Sequence, residues 1–324
     1  MANMINYGNG IYAIDSGYMG PGQDAIHMIV EGDHIAFVDT GVSASLTNVL
    51  DAMNALGLRT DAVAYIILTH VHLDHAGGAG TMMRHFPGAK LIVHPRGARH
   101  MADPSKLIAG ATAVYGATHM REVYGEIAPV AAERIIEARD GDTIMLGDRP
   151  LVCLDTPGHA LHHICIVDKA TGGIFTGDAF GASFGVLDAG DEQFIYPTTA
   201  PSQFDPSAMR ASIERILGLA PTAVYLTHYG RLRGVPKAGR DLLRRLDAFV
   251  DLASRERNSG MERLERIGGA MMGYLCKEAR EYGCQLTGAA LEEKLAPAVF
   301  LNTLGIIHWL DMDKKPANAH SRGN

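Results

Sequence analysis

The chain has 324 residues, a length that suggests about two domains, and with 47% of them apolar it can bury a sizeable core. A net charge of -7 argues against general affinity for nucleic acid or anionic membrane surfaces. The first twenty residues lack a basic start and an apolar run, no apolar stretch reads as bilayer-spanning, and the four cysteines form no C-x-x-C pair, so a reduced, cytoplasmic protein is expected.

Two parts of the chain say similar things in the same order. "IHMIV", the turn "EGDH" and "IAFVDTG" read as strand, turn, strand, and so do "ICIV", "DKATGG" and "IFTGDA". A helix is expected after each hairpin. Leu46, Val49, Leu50 and Met53 share one helical face, and after the Asp205-Pro206 start so do Met209, Ile213, Ile216 and Leu217. Each helix then leads to a β-branched run ending in the same tripeptide, "LTH", at His70 and at His228.

Further strands are expected near Lys90 to His94, Ile135 to Glu137, Thr143 to Leu146 and Leu151 to Leu154, divided by the turn signals "RDGD" and "LGDR". A helical stretch from Pro104 to Tyr124 interrupts them and is a candidate cover for a site. Two such halves bury their apolar faces by packing sheet on sheet with helices outside, an α/β fold of four layers, αββα. Residues 1–235 then form the sandwich domain, the expected seat of any catalytic site, and 236–312 a helical C-terminal domain, whose last helical segment is expected to split at Pro297. Residues 313–324 read as a flexible tail.

"THVHLDHAGG" places His70, His72, Asp74 and His75 in six consecutive positions. Buried, their polar atoms need partners, and a metal supplies them. Histidines two apart can converge on one ion while the Asp-His pair turns toward a second. The remaining ligands should follow other strands, and His159 of "TPGH", Asp178 of "TGDA" and His228 of "LTHYG" do so. Asp39 of "VDTG" is read as fixing a turn.

These pieces, running in order over roughly the first 230 residues, resemble the metallo-β-lactamase superfamily, with the ligand pattern of its glyoxalase II-like branch. The resemblance implies one metal on His70, His72 and His159, a second on Asp74, His75 and His228, and Asp178 bridging both. It implies a dinuclear hydrolase for an ester, thioester or lactone that uses a metal-bound hydroxide, with two divalent ions, zinc first and iron or manganese as alternatives. Asp74 would also orient the nucleophile, and Tyr196 and Tyr229 are candidate donors to the substrate oxyanion. The tail lacks the basic, asparagine-containing glutathione-binding segment of glyoxalase II, and "VHPRGARH" and "DPSKL" resemble a branch of unassigned substrate, so the substrate stays open. A mononuclear iron enzyme like the persulfide dioxygenases, on His70, His159 and Asp178, and a small-molecule phosphodiesterase are the alternative readings.

The expected partner is a small-molecule substrate, with Arg231 and Arg233 as candidates for an anionic group. "PAVFLNTLGIIHWL" is read as docking over the pocket or forming a homodimer contact. "GASFG" matches G-x-S-x-G but lacks the strand-to-helix elbow that motif requires, so Ser183 is not expected to be a nucleophile. His162 and His163 are expected on opposite faces of a strand, and Arg240, Arg244 and Arg245 on the polar face of a helix.

Overall fold

A computed structural model describes residues 3–190, 192–199 and 203–312; the expected flexible tail lies outside the described residues. The first sheet runs in chain order, β1 (Met4–Gly8), β2 (Ile11–Asp15), β3 (Ala25–Glu31), β4 (His34–Val38), β5 (Val63–Ile67), β6 (Lys90–Val93) and β7 (Ile135–Glu137). It is antiparallel up to β4 and parallel from β4 onward. The second sheet comprises β8 (Thr143–Leu146), β9 (Arg149–Asp155), β10 (Ile164–Asp168), β11 (Gly173–Gly177), β12 (Val224–Leu226) and β13 (Gly230–Leu232), in the order β13-β12-β11-β10-β9-β8.

The helices are α1 (Leu46–Ala55), α2 (Leu73–Ala76), α3 (Ala79–His85), α4 (Pro95–Ala102), α5 (Ser105–Tyr115), α6 (Ala117–His119), α7 (Pro206–Gly218), α8 (Val235–Arg255), α9 (Arg263–Tyr282) and α10 (Gly288–Met312). The duplication is visible in the topology. β3 and β4 pair antiparallel, α1 crosses over, and β5 joins β4 in parallel; β10, β11, α7 and β12 repeat the arrangement.

Alternation along the strands builds the layers. Ile29, Val38 and Ile67 point inward to meet Cys153, Ile166 and Phe175 of the second sheet. Their neighbours Met28, Phe37 and Ile66 point outward onto Val49 and Met53 of α1 and Met82 of α3. On the far side Cys165, Ile174 and Val224 pack on Met209, Ile213 and Ile216 of α7. Both faces of each sheet are covered, which is why the strands read as nearly continuous apolar runs. The result is a four-layer αββα sandwich with C-terminal helices. The last cluster continues without a break through Leu242 and Leu246 of α8, Met271 and Leu275 of α9, and Leu295 and Ile306 of α10.

Four expectations are corrected. Pro297 does not split the last helix: it stands on the exposed side of α10, where water meets the carbonyl it leaves free, while Leu291, Leu295, Val299 and Ile306 anchor the helix on both sides of it. By length and composition α10 is also the one described helix that could cross a membrane, although its buried side packs against α8 and α9. Arg245 is fully buried, because Glu278 and the Ile195 carbonyl satisfy its guanidinium and the Phe194 ring lies 4.0 Å beneath it. The stretch from Pro104 to Tyr124 breaks at Gly116, whose φ of 84° ends α5, and resumes as α6 and a wider helical turn over Met120–Tyr124.

Candidate metal centre

Open sheets carry their sites beyond the carboxyl ends of the strands, and the segments leaving β4, β5, β9, β11 and β12 meet there. After β5 the chain runs on to His72, with φ -65° and ψ 150°, and then makes the single turn of α2 that carries Asp74 and His75. Glycine is required at two of the approaches. A Cβ on Gly158 would meet the Met209 amide nitrogen at 2.2 Å, and one on Gly177 would meet Thr69 Oγ1 at 2.6 Å; both have positive φ.

All seven expected ligand residues come together. His70 Nε2 stands 2.9 Å and His159 Nε2 3.0 Å from His72 Nδ1. Asp178 lies between this cluster and the next, with Oδ2 3.3 Å from His159 Nε2, and Oδ1 3.3 Å from His75 Nε2 and 3.5 Å from His228 Nε2. Asp74 Oδ2 completes the second group at 3.5 Å from His228 Nε2 and 3.7 Å from His75 Nε2. Two imidazole nitrogens on one tetrahedral zinc stand about 3.3 Å apart, so the spacing suits an ion. The clearest sign of fit is that His75 Nε2 and Asp178 Oδ1 face each other while buried and without a hydrogen-bond partner. They meet each other at 3.3 Å as an ion pair, and an ion seated among these donors would satisfy both.

The rear nitrogens are held by oxygen. His75 Nδ1 donates to Asp39 Oδ2 at 2.8 Å, His159 Nδ1 to the Thr198 carbonyl at 3.1 Å and His228 Nδ1 to the Gln23 carbonyl at 3.0 Å. Carbonyls only accept, so Nδ1 carries a proton on both rings and Nε2 of His159 and His228 is the atom turned toward the centre. Asp39 does more than fix a turn: it also accepts from the Thr69 amide, the Thr69 hydroxyl and the Thr227 hydroxyl, tying both "LTH" strand ends to one carboxylate. His163 Nε2 accepts from the Asp178 amide at 3.2 Å.

Burial, reinforced by neighbouring imidazoles, holds His70 and His72 well below the usual histidine range. Burial also pushes His75 and His228 down, but Asp178 and Asp74 outweigh it, so His75 is raised and His228 reaches about 9. Burial pushes Asp178 up, and His159, His75 and His228 more than reverse that shift.

Tyr196 is 1% exposed and enclosed between Phe184 and Phe194, whereas Tyr229 is half-buried beside His228. Ser183 donates its amide to the His228 carbonyl, and no strand-to-helix elbow surrounds it. Arg231 is engaged by Tyr7, through the Tyr7 carbonyl at 2.9 Å and the ring at 4.8 Å, and Arg233 is exposed. The expectation for His162 and His163 is corrected: they precede β10 in a turn, so strand alternation does not apply, and both rings lie against His70. Met120 and Tyr124 pack on Leu73, next to Asp74, so the interrupting helices do cover that edge of the centre. Three contributors carry no signal in the sequence. Thr198 and Gln23 act through backbone carbonyls, and Asp24 is fully buried with both oxygens unpartnered, its carboxyl raised to about 7 by burial.

An αββα sandwich that gathers imidazoles and carboxylates at its strand ends defines a metal-binding protein class. The family described as the metallo-beta-lactamase superfamily matches residues 19–228, and the chain belongs to it. The metallo-beta-lactamase fold-containing protein ST1585 of Sulfurisphaera tokodaii is 28% identical over 68% of this chain and 78% of its own length. Its crystal structure superposes with a TM-score of 0.64, at 23% identity, over 92% of this chain and 98% of that one. The hydroxyacylglutathione hydrolase of Aeromonas salmonicida is 29% identical over 63% of this chain and 60% of its own length. The acyl-coenzyme A thioesterase MBLAC2 of Bos taurus is 27% identical over 53% of this chain and 63% of its own. The protein is a metal-dependent hydrolase.

Proposed function

We propose that the centre holds two divalent ions, zinc first, and that the chain hydrolyses a thioester, with esters and lactones as related substrates. His70, His72 and His159 would hold one ion, Asp74, His75 and His228 the other, with Asp178 shared. The observation that carries this reading is the buried pair of His75 Nε2 and Asp178 Oδ1, 3.3 Å apart and without a hydrogen bond, between two sets of converging donors. The names of two relatives, a thioesterase and a hydroxyacylglutathione hydrolase, favour the thioester. The single-iron alternative would leave Asp74, His75 and His228 assembled without a use.

Ions bound there would polarise the acyl carbonyl and bring the pKa of a water near neutral. The chain's residues do the positioning. Asp74 keeps 24% of its side chain exposed and can accept a hydrogen bond from the attacking water. Burial raises the Tyr229 hydroxyl, which therefore stays protonated as a donor to the substrate oxyanion. Tyr196 is assigned to packing. In place of Arg231, Lys294 of α10 is the cation assigned to an anionic carrier group: its ammonium lies 4.6 Å from the Phe184 ring and bonds Gln23, whose carbonyl holds His228.

A hydrolysis panel of acyl-coenzyme A, acylglutathione, aryl ester, lactone and phosphodiester substrates tests the reading. Chelator-sensitive thioester cleavage is the expected result. Turnover of the phosphodiester alone, by protein carrying two ions, would overturn it.

A further inference from the structure

Helix α10 reaches the centre through a side chain with no part in the account so far. Asn302 is 4% exposed and commits both ends of its amide to one loop: Oδ1 accepts from the Thr199 amide at 2.7 Å, and Nδ2 donates to the Pro197 carbonyl at 3.0 Å. The Thr199 hydroxyl returns a bond to the Asn302 carbonyl at 2.7 Å. Between these two anchored residues stands Thr198, which faces the metal centre. Its carbonyl accepts from His159 Nδ1 at 3.1 Å and its hydroxyl donates to the Asp178 carbonyl at 2.9 Å.

We infer that Asn302 is a positioning residue of the metal centre, acting through Thr198 to fix the tautomer and direction of His159 and to anchor Asp178. This rests on reading His159 and Asp178 as ligands. The Thr198 carbonyl accepts only, so it keeps the proton on Nδ1 and the lone pair of Nε2 toward His72. Without the Asn302 amide, the Pro197 carbonyl and the Thr199 N–H lose their buried partners, and the loop, held there only by the Thr199 hydroxyl on the backbone carbonyl, is free to shift and take the carbonyl behind His159 with it. The C-terminal helices thereby help to set the aim of a ligand that lies far from them in the sequence.

The test separates aim from packing. Asn302→Ala is compared with Thr303→Val, its neighbour on α10, which is 1% exposed and whose hydroxyl bonds the Val299 carbonyl and the Met271 sulfur. Three quantities are read: zinc affinity by competition with a chromophoric chelator, the visible spectrum of the cobalt(II)-substituted protein, and the Tm of the metal-free form. Asn302→Ala should weaken zinc binding about tenfold or more and alter the cobalt spectrum. Thr303→Val should lower the Tm while leaving both metal readouts unchanged. Zinc affinity of Asn302→Ala within about twofold of wild type would overturn the inference, on the same scale of outer-shell effects. If that variant does not fold, Asn302→Asp, equal in size but without the donor to Pro197, is judged by the same criterion. A wild-type chain that binds no zinc would instead overturn the ligand assignment, and the inference with it.

Discussion

The cluster of His70, His72 and His159 contains only imidazoles, whereas that of Asp74, His75 and His228 has a carboxylate of its own and faces Asp178. In the first, burial among other imidazoles keeps the rings neutral; in the second, carboxylates reverse the effect of burial and draw His75 and His228 toward the charged form. One rim thus applies two solutions to the same difficulty of crowding polar groups out of water. The first avoids charge and the second balances it. Asp178 faces both, with Oδ2 toward His159 and Oδ1 toward His75 and His228.

Removing Asp178 should break both arrangements at once. Asp178→Ala is expected to lower bound metal from about two ions to less than one and to reduce kcat/KM by roughly three orders of magnitude or more, as when a group shared by two metal sites is lost. Metal analysis with steady-state kinetics checks it, and retention of both ions would be inconsistent with a shared carboxylate. Asp39→Asn should act more strongly on the second cluster, because Asp39 bonds His75 directly and reaches His70 of the first only through the Thr69 hydroxyl. A loss of roughly 10- to 100-fold in the affinity for one ion, with a smaller loss at the other, is expected from titration of the metal-free protein. Equal weakening of both would blur the distinction.

His27 isolates the effect of burial without ligand chemistry. Its Nε2 is buried without a partner, and burial, only partly opposed by Asp39, lowers its pKa from 6.5 to about 4. The unfolded chain therefore takes up this proton before the folded one does. Stability should be undiminished above pH 6.5 and fall as the pH drops to about 4, by about 3 kcal/mol from this residue. Denaturant unfolding of chelator-treated His27→Leu should show a shallower acid limb than wild type, and parallel limbs would contradict the assignment. The smallest effect belongs to Ser183→Ala. Its contacts to His228 and Tyr229 are made by backbone atoms that alanine retains, so activity should stay within about twofold, as for a substitution that removes no catalytic group.

The layers and all seven converging side chains were legible because their signals are local: hydrophobic period, turn residues and histidines just past strand ends. The Asp39 hub was half legible, since the repeated "LTH" already showed Thr69 and Thr227 in equivalent places. The carbonyls of Gln23 and Thr198 carried no signal, because every residue has a carbonyl and only the fold decides which one faces a histidine. Arg245 misled for a related reason. Periodicity marks a charge as outward-facing, but Glu278 and Ile195, distant in sequence, allow it to be buried. Pro297 misled because local propensity gave way to packing on both sides of it.

The central claim is that two ions share one carboxylate. Elemental mass spectrometry of untagged protein, purified without chelator and reconstituted with zinc, tests it most directly. The account predicts close to two ions per chain in the wild type. A stable ratio of one, or no retained metal, would contradict it.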